Sequence, residues 1–325
     1  MMNLNMTDNS SFRQITSPGN TTLHTKETLV TFHVCFLALA ALIVIVNSLV
    51  LIVYFRAAQL HTNNNFLLIS LTFTDLFAGA LNIPFISLPA LIAHRGRSSI
   101  AIHFIGNVLS DFSVIVNELN LFLIFLDRYL IICHPIASRK LITRRRILNF
   151  IALSWVVATF VAVVPLAWCF KVVAGENASA VYRSKMLKRI SQHSISLSMS
   201  CFMLPSLVML YFLVAMIYSI NEHKKKRKRL TSSRGSTRRL SKHIFNSYVK
   251  AFCMLLSMYV LMLIAWSPLM IVRLCLDFNI NININSELFH ALMIFRFITA
   301  LINPFIYTFI KKEFQHAFVQ KLRLC

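Results

Sequence analysis

The sequence predicts an all-α membrane protein: a bundle of seven transmembrane helices followed by a short amphipathic eighth helix. Three observations predict it. The chain of 325 residues is 57% hydrophobic and only 14% charged, with a mean hydropathy of +0.67. It divides into seven apolar runs, each at least as long as the roughly 20 residues a helix needs to cross the hydrocarbon core. Its Lys and Arg residues collect in alternate gaps between those runs. A soluble protein of this length could not cover its surface with so few charges, whereas lipid solvates apolar faces directly.

Residues 1–28 are polar, with no apolar core or cleavage pattern of a secretory signal. They carry the sequons Asn5-Met-Thr7, Asn9-Ser-Ser11 and Asn20-Thr-Thr22, which predict an exposed, glycosylated tail. The apolar runs then lie near 29–55, 64–93, 101–133, 147–170, 191–219, 245–276 and 286–310. Residues 29–310 form the membrane domain. Residues 311–325 form a cytoplasmic helix and tail, in which Phe314 and Phe318 share one face and Lys311, Lys312 and Lys321 supply charge for a lipid surface. Cys325 is a palmitoylation candidate there, or else a free thiol.

Orientation follows from charge. The gap after span 1, the gap after span 3, the gap at 220–244 and the tail together hold twenty Lys and Arg; the opposite gaps and the N-terminal segment hold nine. The richer side is cytoplasmic, so the N-terminus is expected outside and the C-terminus inside. The net charge of +22 is confined to these gaps and shows no basic aromatic face, which weighs against nucleic acid as a partner. The seven cysteines show no metal-ligand spacing.

Polar residues inside membrane spans are costly and usually functional. Asn47 lies in span 1, Asp75 in span 2, Asn117 and Glu118 in span 3, and Asn303 in span 7. At about 100° per residue, Ser110, Asn117 and Arg128 form one stripe on span 3, with Asp111 and Glu118 on its flank; Arg296 and Asn303 share a face of span 7. Asp75, Asn117 and Asn303 can therefore converge, and Asn47 is grouped with them as a candidate for the same site. Their oxygens suit either a sodium ion or a water cluster, or form a hydrogen-bond network that joins helices.

Asp127-Arg128-Tyr129 at the inner end of span 3 resembles the DRY motif of class A, rhodopsin-like G-protein-coupled receptors. Asn47 and Asp75-Leu76 match the signatures of spans 1 and 2, Trp155 that of span 4 and Pro205 that of span 5. Trp266-Ser267-Pro268 resembles CWxP with Ala265 in place of Cys, Asn303-Pro304-Phe305-Ile306-Tyr307 is an intact NPxxY, and Phe314 matches the aromatic of the eighth helix. Each motif alone is common; together, in order and each in its expected place, they are specific, and the likeness covers about residues 30–320.

The resemblance implies a plasma-membrane receptor. A small-molecule or peptide ligand would enter between the outer halves of spans 3, 5, 6 and 7, above Trp266. Span 6 would bend at Pro268, and its inner end would move to admit a heterotrimeric G protein. Arg128 would be held by Asp127 at rest, and Tyr307 would swing inward on activation. Pocket candidates are Ser110, Asp111, Trp266, Arg273 and Arg296, of which the two arginines either meet an acidic ligand group or serve structural roles.

Departures from the family pattern are also present. His103 stands where the outer end of span 3 usually has a bridging Cys, and 171–190 contains no Cys, so the usual bridge to the second outer loop is missing. Ser110 replaces the Asp of amine receptors. Leu213 stands where a Tyr is frequent, with Tyr211 and Tyr218 off phase. Tyr248 stands where an acidic residue often locks Arg128, which predicts raised basal signalling.

No Ser/His/Asp, Cys/His or metal constellation suggests an enzyme, and no cofactor beyond the sodium ion at Asp75 is expected. A transporter or channel would need a continuous polar path, and transporters commonly show repeated halves, neither of which is visible. A non-signalling scavenger of the same fold often has damaged DRY or NPxxY motifs; both are whole here.

Overall fold

The computed structural model describes residues 23–87, 100–173, 180–229, 235–278, 280 and 286–322. Asn5, Asn9, Asn20 and Cys325 lie outside the described residues. Among the described residues, seven helical segments are long and apolar enough to cross a membrane: Val30–Arg56, Asn65–Ser87, Ile105–Cys133, Arg144–Ala167, Ser200–Arg227, Lys242–Val272 and Glu287–Ile310, here spans 1 to 7. Helix is what lipid demands, because only local N–H to C=O bonding satisfies the backbone of a single spanning segment.

The bundle is apolar on both sides of its wall. Leu51, Leu68, Leu71, Phe125, Met209, Met216, Leu255 and Met258 fill the interior. Phe160, Leu207, Ile271 and Phe309 lie 60% or more exposed on the outer surface. In water such a patch would associate or aggregate, whereas against acyl chains it is solvated.

Irregular turns precede two of the prolines, while Pro165 and Pro268 lie within continuous helices. Span 2 widens into a π-turn at Ala78–Asn82, two residues before Pro84, and a second π-turn at Ser198–Met203 ends two residues before Pro205. Proline removes a helical donor and crowds the preceding turn, and a wide turn relieves both effects. Within the first π-turn, Gly79 lets span 2 approach span 1. A Cβ there would stand 2.9 Å from Ile43 Cγ2 and 3.0 Å from the Ala40 carbonyl. Gly106 does the same for span 3, where a Cβ would meet the Phe85 carbonyl at 2.9 Å.

Two expectations need correction. The region before span 5 is not loop as far as residue 190: a helix runs Ala180–Leu197 and passes through the π-turn into span 5. Its polar sequence hid it from a reading based on apolar runs. Span 7 is not one rod. Helix Ser286–Arg296 stops, Phe297 makes a turn, and helix Ile298–Ile310 resumes. The turn is closed by Phe297 N–H to Ile294 O and Ala300 N–H to Phe297 O.

Span 6 belongs to a 43-residue helix, Gly235–Asp277, long enough to project well past a roughly 30 Å hydrocarbon core. After span 7 the chain turns at Lys311, in extended conformation, and the eighth helix runs Lys312–Leu322. Its Phe314 is fully buried and packs edge-on against Tyr307, so the aromatic face expected to meet lipid is partly an anchor to the bundle.

Candidate functional site

Polar side chains from six spans meet inside the bundle at three depths. In the outer half, Arg296 is only 2% exposed and donates to Ser110 Oγ at 2.8 Å. Its guanidinium lies 5.5 Å from the Trp266 ring and 4.4 Å from the Phe297 ring. Such stacking is favourable for a planar cation withdrawn from water. Arg296 is the last residue before the span 7 break, so the break fixes where this charge sits. Phe202 of span 5 also lies against Trp266, with ring centroids 6.5 Å apart. Asp111 is half-buried beside Ser110. The side chains of Arg273 and His103 lie outside the described residues.

At mid-depth, Asp75 is fully buried and accepts two amide donors. Asn117 Nδ2 reaches Oδ1 at 2.9 Å and Asn303 Nδ2 reaches Oδ2 at 3.1 Å. Spans 2, 3 and 7 are thus joined through one carboxylate. Asn47, grouped with this site on the sequence, is placed differently: its amide donates to Ile43 O and, at 3.0 Å, to Ala300 O of span 7. The reason lies four residues on. Pro304 has no N–H, so Ala300 O lacks its helical donor and Asn47 supplies one. A second link, invisible in the motifs, runs from Trp155 Nε1 to Ser70 Oγ and from Ser70 Oγ to Asn120 Oδ1, joining spans 4, 2 and 3.

At the inner end, the Arg128 guanidinium lies 3.3 Å from Asp127 Oδ2. The pair is close in charge but not aligned as a hydrogen bond, since Arg128 Nε and both Asp127 oxygens lack hydrogen-bond partners. Tyr129 stacks on Phe212 of span 5, with ring centroids 4.5 Å apart, and its hydroxyl shares a hydrogen bond with His134. Tyr307 is fully buried and bonded through its hydroxyl to Thr72 Oγ1 at 2.7 Å. Because Thr72 donates to Leu68 O, Tyr307 acts as the donor. Tyr211 and Tyr218 point outward, and Leu213 takes the interior position. Tyr248 packs against His223 of span 5.

Lys311 closes the inner face. Its ammonium donates to Asn65 Oδ1 at 2.7 Å, and Asn65 in turn donates to Leu60 O. The stem is partly exposed while the ammonium is enclosed. Burial, and secondarily the neighbouring Arg128, pull its pKa down to about 7 against the opposing pull of Glu313 and Asp127.

Residues 46–307 match the family described as 7 transmembrane receptor (rhodopsin family). The chain is 24% identical over 299 residues to the 5-hydroxytryptamine receptor 4 of Cavia porcellus, covering 84% of this chain and 74% of that one. It is 25% identical to the adenosine receptor A2a of Equus caballus, covering 88% and 71% of the two chains. Over a shorter stretch of 155 residues it is 32% identical to the cholecystokinin receptor of Xenopus laevis, covering 46% and 32%.

Proposed function

Because this chain belongs to the rhodopsin family of seven-transmembrane receptors, we propose that it binds an extracellular ligand among the outer halves of spans 3, 5, 6 and 7 and activates a heterotrimeric G protein by movement of span 6. It is a G-protein-coupled receptor and not an enzyme; the ligand and the activation steps are the proposal. The observation that carries it is the inner-face arrangement, in which Arg128 lies beside Asp127 while Tyr307 is tied to Thr72 of span 2. Both contacts can be exchanged for others if span 6 moves. Ligand and G protein would each bind one arrangement better and so shift the population toward it.

Ser110, Asp111, Trp266 and Arg296 are the groups a ligand would meet on the pocket floor, with Arg273 further out. The relatives' names give three different ligands (5-hydroxytryptamine, adenosine and cholecystokinin), so likeness selects none. The charge asymmetry favours an extracellular N-terminus, glycosylated at Asn5, Asn9 and Asn20, in the plasma membrane. Without an acidic residue at Tyr248 to hold Arg128, basal signalling should be measurable.

Sodium would be held by Asp75. The carboxylate keeps lone pairs beyond the two that the amides use, so an ion fits the donor set. The two amides also satisfy the carboxylate by hydrogen bonding alone, and an ion would add charge neutralisation that favours the resting state.

The test is a ligand-panel screen in cells expressing the chain with reporters that accept many G-protein classes. The expected result is a ligand-dependent or basal signal that Arg128→Ala abolishes at equal surface expression. No signal above empty cells, or a signal unchanged by Arg128→Ala, overturns the reading.

A further inference from the structure

His33 has no place in the motifs or in the three layers above. It lies near the outer end of span 1, is 4% exposed, and neither of its ring nitrogens has a hydrogen-bond partner. A neutral imidazole presents one donor and one acceptor. Burying both unpaired is costly, and a group placed so calls for a reason.

The nearby ring is another imidazole. His290, half-buried near the outer end of span 7, has its centroid 6.1 Å from that of His33, with the planes at 81°. Phe32 flanks both, 5.4 Å from His33 and 4.7 Å from His290. One turn deeper, Phe36 of span 1 meets Phe297 at 5.4 Å, so the two spans touch here. A zinc–imidazole bond is about 2.0–2.1 Å, which with the radius of the ring puts the ion roughly 3.2 Å from each centroid. Two rings sharing one ion therefore stand at most about 6.4 Å apart, and about 5.2 Å apart at a tetrahedral angle. The observed separation lies between these values, so a small turn of the half-buried His290 ring suffices. Coordination takes one nitrogen from each ring, and the other commonly donates to an acceptor.

We propose that His33 and His290 form a two-imidazole site for a divalent transition-metal ion of the zinc type, at the outer mouth of the bundle between spans 1 and 7. Imidazole nitrogen selects such ions, whereas the oxygens at Asp75 suit a hard cation. Among the described residues no third His, Cys, Asp or Glu joins the pair. Water would complete the shell, and binding would be reversible, as suits a modulator more than a structural metal. His290 belongs to the helix Ser286–Arg296, whose last residue sets its guanidinium over Trp266. An ion that fixes this helix against span 1 would bias ligand binding, and the ligand would bias ion binding by the same factor. That consequence rests on the receptor reading; the ion site does not.

Two measurements separate these parts. The first is a titration of the purified full-length protein, without a histidine tag and in metal-free lipid nanodiscs, with zinc chloride, read by calorimetry and thermal unfolding. The wild type should bind a zinc equivalent that raises its unfolding temperature. His33→Gln and His290→Gln should each lose that equivalent, and Cys35→Ser, which alters a nearby exposed thiol, should keep it. Binding that persists in either histidine variant, or that is lost in Cys35→Ser, overturns the site. If His33→Gln fails to fold, His290→Gln decides. The second is signalling in cells: added zinc should shift the response of the wild type and leave His290→Gln unmoved at equal surface expression. An equal response of the two overturns the modulatory role. If the wild type gives no signal above Arg128→Ala, the receptor reading fails while the zinc titration stands.

Discussion

The side-chain amide of Asn47 donates to the carbonyl of Ala300, 253 residues away, at 3.0 Å. Pro304 is what leaves that carbonyl without its helical donor, so the two residues of spans 1 and 7 are coupled through a missing N–H. Asn47→Ala should therefore leave a buried carbonyl unsatisfied and destabilise the fold by about 1–3 kcal/mol. In a Pro304→Ala background, which restores the helical N–H, the same change should cost markedly less. Thermal unfolding of the four proteins in one detergent closes the cycle; equal losses in both backgrounds would show that Asn47 acts elsewhere.

Asp75 accepts from Asn117 and Asn303 on its two oxygens. Asn at this position keeps one acceptor and adds a donor facing another amide, so Asp75→Asn should lower the unfolding temperature in sodium-free buffer. Exchange of choline for sodium should raise the unfolding temperature of the wild-type protein and leave Asp75→Asn unmoved. An equal response of the two proteins to sodium would place no ion at Asp75.

Lys311 sets a pH dependence whose sign is fixed by its lowered pKa. The unfolded chain holds the Lys311 proton up to an ordinary lysine pKa of about 10.5, whereas the folded chain releases it near 7. Between those values the unfolded state binds more protons, so stability rises with pH across that window. Below about pH 7 the penalty of the enclosed ammonium is fully present. Lys311→Met should stabilise the protein at pH 6 and flatten the rise between pH 7 and 9, as read by thermal unfolding. An unchanged slope would place the titration on another group.

Gly79 and Gly106 mark close approaches between spans. Gly106→Ala places a Cβ 2.9 Å from the Phe85 carbonyl, a backbone atom that cannot rotate away. Gly79→Ala meets both the Ile43 side chain and the Ala40 carbonyl. Each should cost about 1–3 kcal/mol by overpacking, seen as a lower unfolding temperature and reduced surface expression. Wild-type stability in either variant would mean that the helices separate freely at that point.

The sequence by itself determined that seven helices cross a membrane, because apolar run length and the cost of an unsatisfied backbone in lipid leave no other outcome. It also placed the family motifs, and its helical phase brought Asn117 and Asn303 to the side of the bundle where Asp75 lies. That much depends on residues within one helix. The partner of Asn47, the break at Phe297 that positions Arg296 and the Lys311–Asn65 bond were decided only by tertiary structure. Periodicity states which side of a helix a residue occupies. Depth, neighbouring span and which lone pair is already taken arise only when the helices pack, since each hydrogen bond between spans joins positions that no local repeat relates.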